Sequence, residues 1–485
     1  MRASTAGDIS SIFSMTAGMR RNSHVLEAFF GFKDSANRSV KRRNLLLLVA
    51  MFGSTFRSLL LAGLCLSDSQ NLAEDQVVVE PKGSPVLRRF NFSSPTQLQK
   101  TLDKAQNRGL DVWQATPQHI DIYFPSNSTA PPFQLPFQDF PVLDFGPAQT
   151  ANPPNSQSWD MSFSTSTFHS SYHPLPEIER FISDLAKEHP NLVELISIGR
   201  TTEQREMTVV KISADEKSAP GQKNEEPLKS KGAVVIIGAQ HAREWIAVST
   251  ALYVAHGLVA SPSEHYSLNG LLHHYDFYIL PVANPDGYHY TWTEDRFWYK
   301  TRQKLSSRGK CIGIDMNRNW GYKWREADKG NEKLCDNWYA GSRPFQTPET
   351  NNLANFVWSL SHLKIFLDLR SYGQMISSPY SFSCKRVPKD AEDQLEAASG
   401  AASALTSVHA VPYTVGRLCL QLYKAHGNVI DWMYQSRGIK YSYAVHLRDT
   451  GTYGFSLPAE WIRPVGEETT RMIKYLANFL NKRPT

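Results

Sequence analysis

Five short apolar runs set the terms for any fold this chain can adopt. MTVVKI at 207–212, AVVIIG at 233–238, FYILPVA at 277–283, LKIFLDL at 363–369 and YSYAVHL at 441–447 have the length and β-branched character of buried strands. Helical stretches lie between and around them. WIAVSTALYVAHGLV at 245–259 is one; Ile178, Phe181, Ile182 and Leu185 repeat at i, i+3, i+4 and i+7 until Pro190 stops them; Met472, Tyr475, Leu476 and Phe479 share one face of a closing helix. Strands interleaved with helices predict an α/β domain over 161–485, a mixed central sheet flanked by helices. Ligands in such folds gather where strands end, so the residues just past each run carry the functional reading.

Ahead of that domain, 67–124 reads as a small α+β module. It has VVV at 77–79, a helix opened by Ser94 and Pro95 with Leu98, Leu102 and Ala105 on one side, and short strands in LDVW and HIDIYF. Residues 125–160 read as a proline-rich linker, because 125–154 holds eight prolines and no Lys or Arg. The leader, 1–66, contains two apolar runs separated by Arg57, each short of the ~18 residues of a spanning helix. Read from Met51, it has the layout of a secretory signal, with a mature start near Ser67; a retained anchor over 44–66 is the alternative. The expected destination is the secretory pathway, with no stable membrane anchor.

The leader also carries the charge. Its nine Lys/Arg against three Asp/Glu account for the whole net +6, and the remaining 43 of each sign cancel, which gives no reason to expect a nucleic-acid partner. Cys65 falls in the leader, leaving Cys311, Cys335, Cys384 and Cys419 as an even set suited to two disulfides in an oxidising compartment, or to four buried thiols in a reducing one. Asn91 and Asn127 begin glycosylation sequons, in agreement with secretion.

Just past the 233–238 run, Gln240-His241-Ala242-Arg243-Glu244-Trp245 sets an imidazole and a carboxylate three residues apart, two candidate ligands for one zinc ion. Alone the pattern is weak. With NPDGYHYTWTEDRFWYKTR at 284–302, IDMNRNW at 314–320, LRSYGQ at 369–374, LYKAHGNVIDWMY at 422–434 and HLRDTGTYGF at 446–455, it resembles the zinc metallocarboxypeptidases of the pancreatic A/B type. The 67–124 module resembles their activation domain.

That resemblance implies roles residue by residue. His241 and Glu244 are matched to zinc ligands and Arg243 to a substrate-contacting arginine. Asn317 and Arg318 are matched to the pair that grips a substrate's terminal carboxylate, Tyr423 to the tyrosine that closes on it, and Ser371 and Tyr372 to further substrate contacts. Ile430 is matched to the pocket-floor residue that accompanies apolar side chains, and Cys311–Cys335 to a disulfide whose loop is worth on the order of 3 kcal/mol in the chain-entropy model. A guanidinium and an amide together suit a carboxylate, through several convergent donors.

Three departures cut across those roles. The third zinc ligand, a histidine in the family, is Arg370, which has no lone pair to give and which an ion at about 4 Å would repel by roughly 8 kcal/mol at an effective dielectric near 20. Either the side chain swings away or the metal is lost, with an Arg370–Glu244 ion pair filling its space. The catalytic glutamate is His446, and the arginine that polarises the scissile carbonyl is Tyr299. No residue is therefore assigned a catalytic role, and zinc at the single family site is in question.

These losses resemble those of a fungal branch of inactive carboxypeptidase-like proteins, secreted or vacuolar and linked to cell-wall organisation. Three readings stay open: a silent protein binding peptide or protein C-termini, an active zinc carboxypeptidase rebuilt around His446 or His426 and releasing apolar C-terminal residues, and a purely structural secreted domain. No Lys or Arg lies between Arg108 and Arg180, so a trypsin-like protease finds no site for releasing the small module.

Overall fold

A computed structural model describes residues 83–143, 159–214, 231–305, 311–326 and 334–482. The leader with Met51 and Cys65, the start near Ser67 and VVV at 77–79 lie outside these residues.

The small module is built from β1 (Val86–Asn91), α1 (Pro95–Asn107), β2 (Val112–Ala115), β3 (His119–Phe124) and β4 (Phe137–Pro141), with strand order β2-β3-β1-β4. Ser94 caps α1 by accepting from Gln97 N at 3.4 Å, Pro95 occupies the first turn, and Leu98, Leu102 and Ala105 are buried, as the periodicity predicts. Two elements differ from the sequence reading. Strand β1 was hidden by its paired arginines; Arg88 is buried because Asp139 accepts from Nε at 2.7 Å and from Nη2 at 2.9 Å. Strand β4 comes from the proline-rich stretch read as linker, and it pairs with β1 at the sheet edge, where a proline costs no ladder bond.

The large domain runs α2 (Leu175–Glu188), β5 (Val193–Arg200), β6 (Glu206–Ile212), β7 (Gly232–Gly238), α3 (Trp245–Val259), β8 (Tyr275–Leu280), α4 (Pro285–Thr293) and α5 (Pro348–Ser359). It continues with β9 (Leu363–Arg370), β10 (Met375–Ser378), α6 (Ala391–His409), β11 (Thr414–Arg417), α7 (Leu418–Gln421), α8 (Val429–Gln435), β12 (Tyr441–His446) and α9 (Ile462–Asn481). Its sheet has the order β11-β10-β12-β9-β7-β8-β6-β5. The middle four strands are parallel and the flanks bring in antiparallel pairs, so the sheet is mixed.

Alternation along the central strands feeds two core layers. Val234 and Ile236 of β7 pack with α2, α3, α6 and α9, whereas Val235 and Ile237 pack with α5 and α8. Strands covered on both faces must be apolar throughout, which is why the five runs were legible. Cys311–Cys335 and Cys384–Cys419 form disulfides. Among the described residues no helix is long and apolar enough to cross a membrane.

Register positions the site. Ladder pairing sets His446 of β12 opposite Arg370 of β9, and Gly238 of β7 opposite Leu369, so the 240–244 turn, Arg370 and His446 converge at one end of the sheet. Gly238 is the hinge of that turn: a Cβ there would lie 2.7 Å from Pro281 O and 2.9 Å from Ala247 O, both backbone atoms that cannot yield.

Candidate functional site

Arg370 fills the centre of the site. Its guanidinium donates through Nε to Glu244 Oε2 at 3.0 Å, through Nη2 to Glu244 Oε1 at 3.2 Å and through Nη1 to Asp368 Oδ2 at 3.3 Å, and Nη2 also donates to His241 Nδ1. The two residues matched to zinc ligands are thus bound to an arginine. Since a guanidinium only donates, His241 Nδ1 must be its lone-pair nitrogen, and His241 Nε2–H donates to Asp315 Oδ1 at 2.7 Å. His241 Nδ1 and both Glu244 oxygens thus each face a guanidinium N–H.

The electrostatics hold this arrangement fixed. Burial alone would raise Glu244, but the charge of Arg370 outweighs it and holds the carboxyl below its ordinary range. Burial opposes the charged form of Arg370, yet Glu244 and Asp368 keep it well above its already high value. Asp368 itself is pushed up to about 6 by burial, with Arg370 pulling the other way. It receives a second bond from Gln240 Nε2 at 2.8 Å, while its Oδ1 is buried without a partner.

His446 and Tyr299 complete the inner wall without supplying the missing chemistry. His446 is driven down to about 3, first by burial and then by the Arg370 charge, so it is neutral at physiological pH and a feeble base. Tyr299 stacks on the His241 ring at 3.8 Å between centroids, and burial followed by Asp315 raises its hydroxyl well above the ordinary value. His426 donates through Nδ1–H to the Lys323 carbonyl at 3.2 Å and does not line the cleft.

Does the site fit zinc? Arginine stands where the third ligand is required, it engages His241 Nδ1 and both Glu244 oxygens, and among the described residues no group of three or more His, Cys, Asp or Glu is placed to hold a metal ion. The residues do not fit the ion.

The residues matched to the carboxylate clamp lie beside this core. Asn317 Oδ1 accepts from Val429 N at 3.0 Å, and Asp315 holds Arg318 Nε at 3.2 Å. The Arg318 guanidinium lies 4.5 Å from the Trp338 ring and 5.5 Å from the Tyr423 ring, and those two rings stack on each other at 4.8 Å. His241, Tyr299, Asn317, Arg318, Tyr423 and His446 all line one cleft, but its free volume is only about 30 Å³, room for on the order of two waters. Ile430 is fully buried in the core and does not line it.

The small module accounts for the rest of the matched substrate contacts. Arg243 is completely buried, donating through Nη1 to Asp111 Oδ2 at 2.8 Å and to Oδ1 at 3.0 Å. Tyr372 donates to Asp121 Oδ2 at 2.8 Å and its carbonyl accepts from Gln114 Nε2 at 2.8 Å, while Ser371 Oγ is buried without a partner. Asp121 also takes a bidentate pair from Arg89, both bonds 2.7 Å. Leu87, Trp113, Val142, Tyr372 and Phe455 form an apolar cluster across the same seam. Asp111, Asp121 and Asp315 were not singled out from sequence. A lone acid in an otherwise apolar strand was the available signal for Asp368, in LKIFLDL.

A family model for zinc carboxypeptidases matches residues 178–472. The chain belongs to that family. It is 32% identical over 441 residues to the inactive metallocarboxypeptidase ECM14 of Ajellomyces capsulatus strain H143, covering 82% of this chain and 72% of that protein. It is 36% identical over 311 residues to carboxypeptidase B of Astacus astacus, covering 64% of this chain and 97% of that one. Among solved structures, thrombin-activatable fibrinolysis inhibitor aligns with a TM-score of 0.70 and 31% identity, over 83% of this chain and 99% of its own. The fold of the family member and the expected mixed sheet agree. Asn91 and Asn127 are both exposed, as glycosylation would require.

Proposed function

We propose that this protein is a catalytically silent, secretory member of the zinc carboxypeptidase family, whose retained carboxylate clamp binds peptide or protein C-termini in support of cell-wall organisation. One observation carries the silence: the Arg370 guanidinium bound at once to Glu244 and His241. With it go a neutral, weakly basic His446 and a phenol at Tyr299, so metal, base and oxyanion cation are replaced together. The clamp reading rests on Asn317 and Arg318, whose cleft has about 30 Å³ free and is walled by Tyr423, which with Trp338 lies against the small module's core. Binding therefore requires that Tyr423 and the module yield. The match to the solved structure extends beyond what 161–485 alone could cover, which supports reading the module as the counterpart of an activation domain. The two disulfides fit the oxidising secretory route.

The test is a titration of the full chain with a peptide bearing a free C-terminus against its amidated form, alongside zinc quantification and a C-terminal residue release assay. The proposal expects preference for the free acid, its loss in Arg318→Ala, and no release. Stoichiometric zinc with steady release of C-terminal residues overturns the silence; equal affinity for both peptides removes the clamp.

A further inference from the structure

We infer that a second, polar basin, formed by the loop after α3 and the exposed side of α9, binds a tetrahedral oxyanion, as free phosphate or as a phosphate ester. The basin offers about 210 Å³, against about 30 Å³ in the clamp cleft, and shares no residue with it. Arg471 and Lys474 stand three residues apart on α9, hence on one side of the helix, and face His265 and Ser263 of the loop. Tyr266, held at φ +64°, brings its ring to 5.3 Å from the Arg471 guanidinium. A guanidinium stacked on a ring keeps its in-plane N–H groups available to oxygen ligands.

One acid, Glu264, also lines the basin, but its oxygens are engaged by backbone amides. Glu264 accepts from the backbone amides of Ser261 at 3.3 Å and Ser164 at 3.0 Å, and Glu467 is paired with His409 at 2.8 Å. Among the described residues neither Arg471 nor Lys474 is within ion-pair distance of a carboxylate. Two cations without an ion-pair partner in a concave polar site favour a compact dianion, which a phosphate group supplies and a single carboxylate does not.

The full chain is titrated with inorganic phosphate and with glucose 6-phosphate, against glucose and acetate at matched ionic strength. Saturable binding of either phosphate form, weakened about tenfold or more in Arg471→Ala and in Lys474→Glu but kept in Arg318→Ala, is expected. A stronger response to the ester names the ester as the source, and the reverse names the free ion. No saturation by about 10 mM overturns the inference. So does affinity unchanged in both basin variants, or loss in Arg318→Ala instead, which would place the ion in the clamp.

Discussion

Arg370 and Glu244 lie 126 residues apart in the chain, and the guanidinium Nε meets the carboxylate Oε2 at 3.0 Å where the family's chemistry places a metal. Neither group can leave its partner cheaply, because both are buried and the carboxylate is held ionised. Arg370→Ala is expected to destabilise the protein by about 3–5 kcal/mol, measured by denaturant unfolding, since it strands a buried carboxylate. Arg370→Met combined with Glu244→Gln recovers most of that loss.

Reversing two departures tests how far the pocket has drifted. In Arg370→His with His446→Glu, the cation disappears and an imidazole returns as third ligand beside His241 and Glu244. Elemental analysis should show zinc rising from a trace towards one ion per chain. Unchanged metal content would mean that the Tyr299 ring stacked on His241 also bars the site. Chelator should leave the thermal midpoint of the unmodified protein where it was.

Docking of the small module depends on two carboxylates. Asp111→Ala leaves the wholly buried Arg243 with only the Phe297 carbonyl at 3.2 Å, and Asp121→Ala leaves Arg89 with only the Thr450 carbonyl at 2.7 Å and the Tyr372 hydroxyl without its acceptor. Each should cost about 1–3 kcal/mol. Limited chymotrypsin digestion should then cut faster at the aromatic residues of 133–140, and no acceleration in the double variant would show that the apolar seam alone secures the module.

Acid sensitivity has a definite source in a buried histidine pair. His169 Nε2–H donates to His256 Nδ1 at 2.9 Å, and His256 Nε2–H donates to Met161 O at 2.9 Å, leaving His169 Nδ1 without a partner. Burial first, then the neighbouring His256 and Arg463, push His169 well below its ordinary value; burial likewise lowers His256. Below about pH 6.5 the unfolded chain binds protons that the folded one refuses, so stability falls as pH drops from that point. His169→Phe should lower stability at pH 7 by about 1–3 kcal/mol, by orphaning His256 Nδ1, yet lose less than the parent between pH 7 and pH 5. An equal loss in both would clear the pair of responsibility.

How much was legible follows from what one residue can reveal about its neighbours. α2, α3 and α9 and the five inner strands could be read because burial on known faces imposes a period on the chain. Strands β1, β10 and β11 could not: VLRRFN carries two arginines whose partners, Asp139 and Asp121, lie far along the chain, and MISS and TVGR are short, peripheral segments with little pattern. Similarly, motif order exposed Arg370, His446 and Tyr299 as departures, and the Arg370–Glu244 pair was deducible from charge alone. That Arg243 is spent on Asp111, and that Ile430 sits in the core rather than on the cleft, needed the third dimension.

A cation supplied by the covalent chain obeys different rules from one taken up from solution. Arg370 cannot be leached, exchanged or competed for, and its occupancy has the lifetime of the fold rather than that of a coordination bond. The cavity thereby keeps the same charge in metal-starved surroundings as in rich ones.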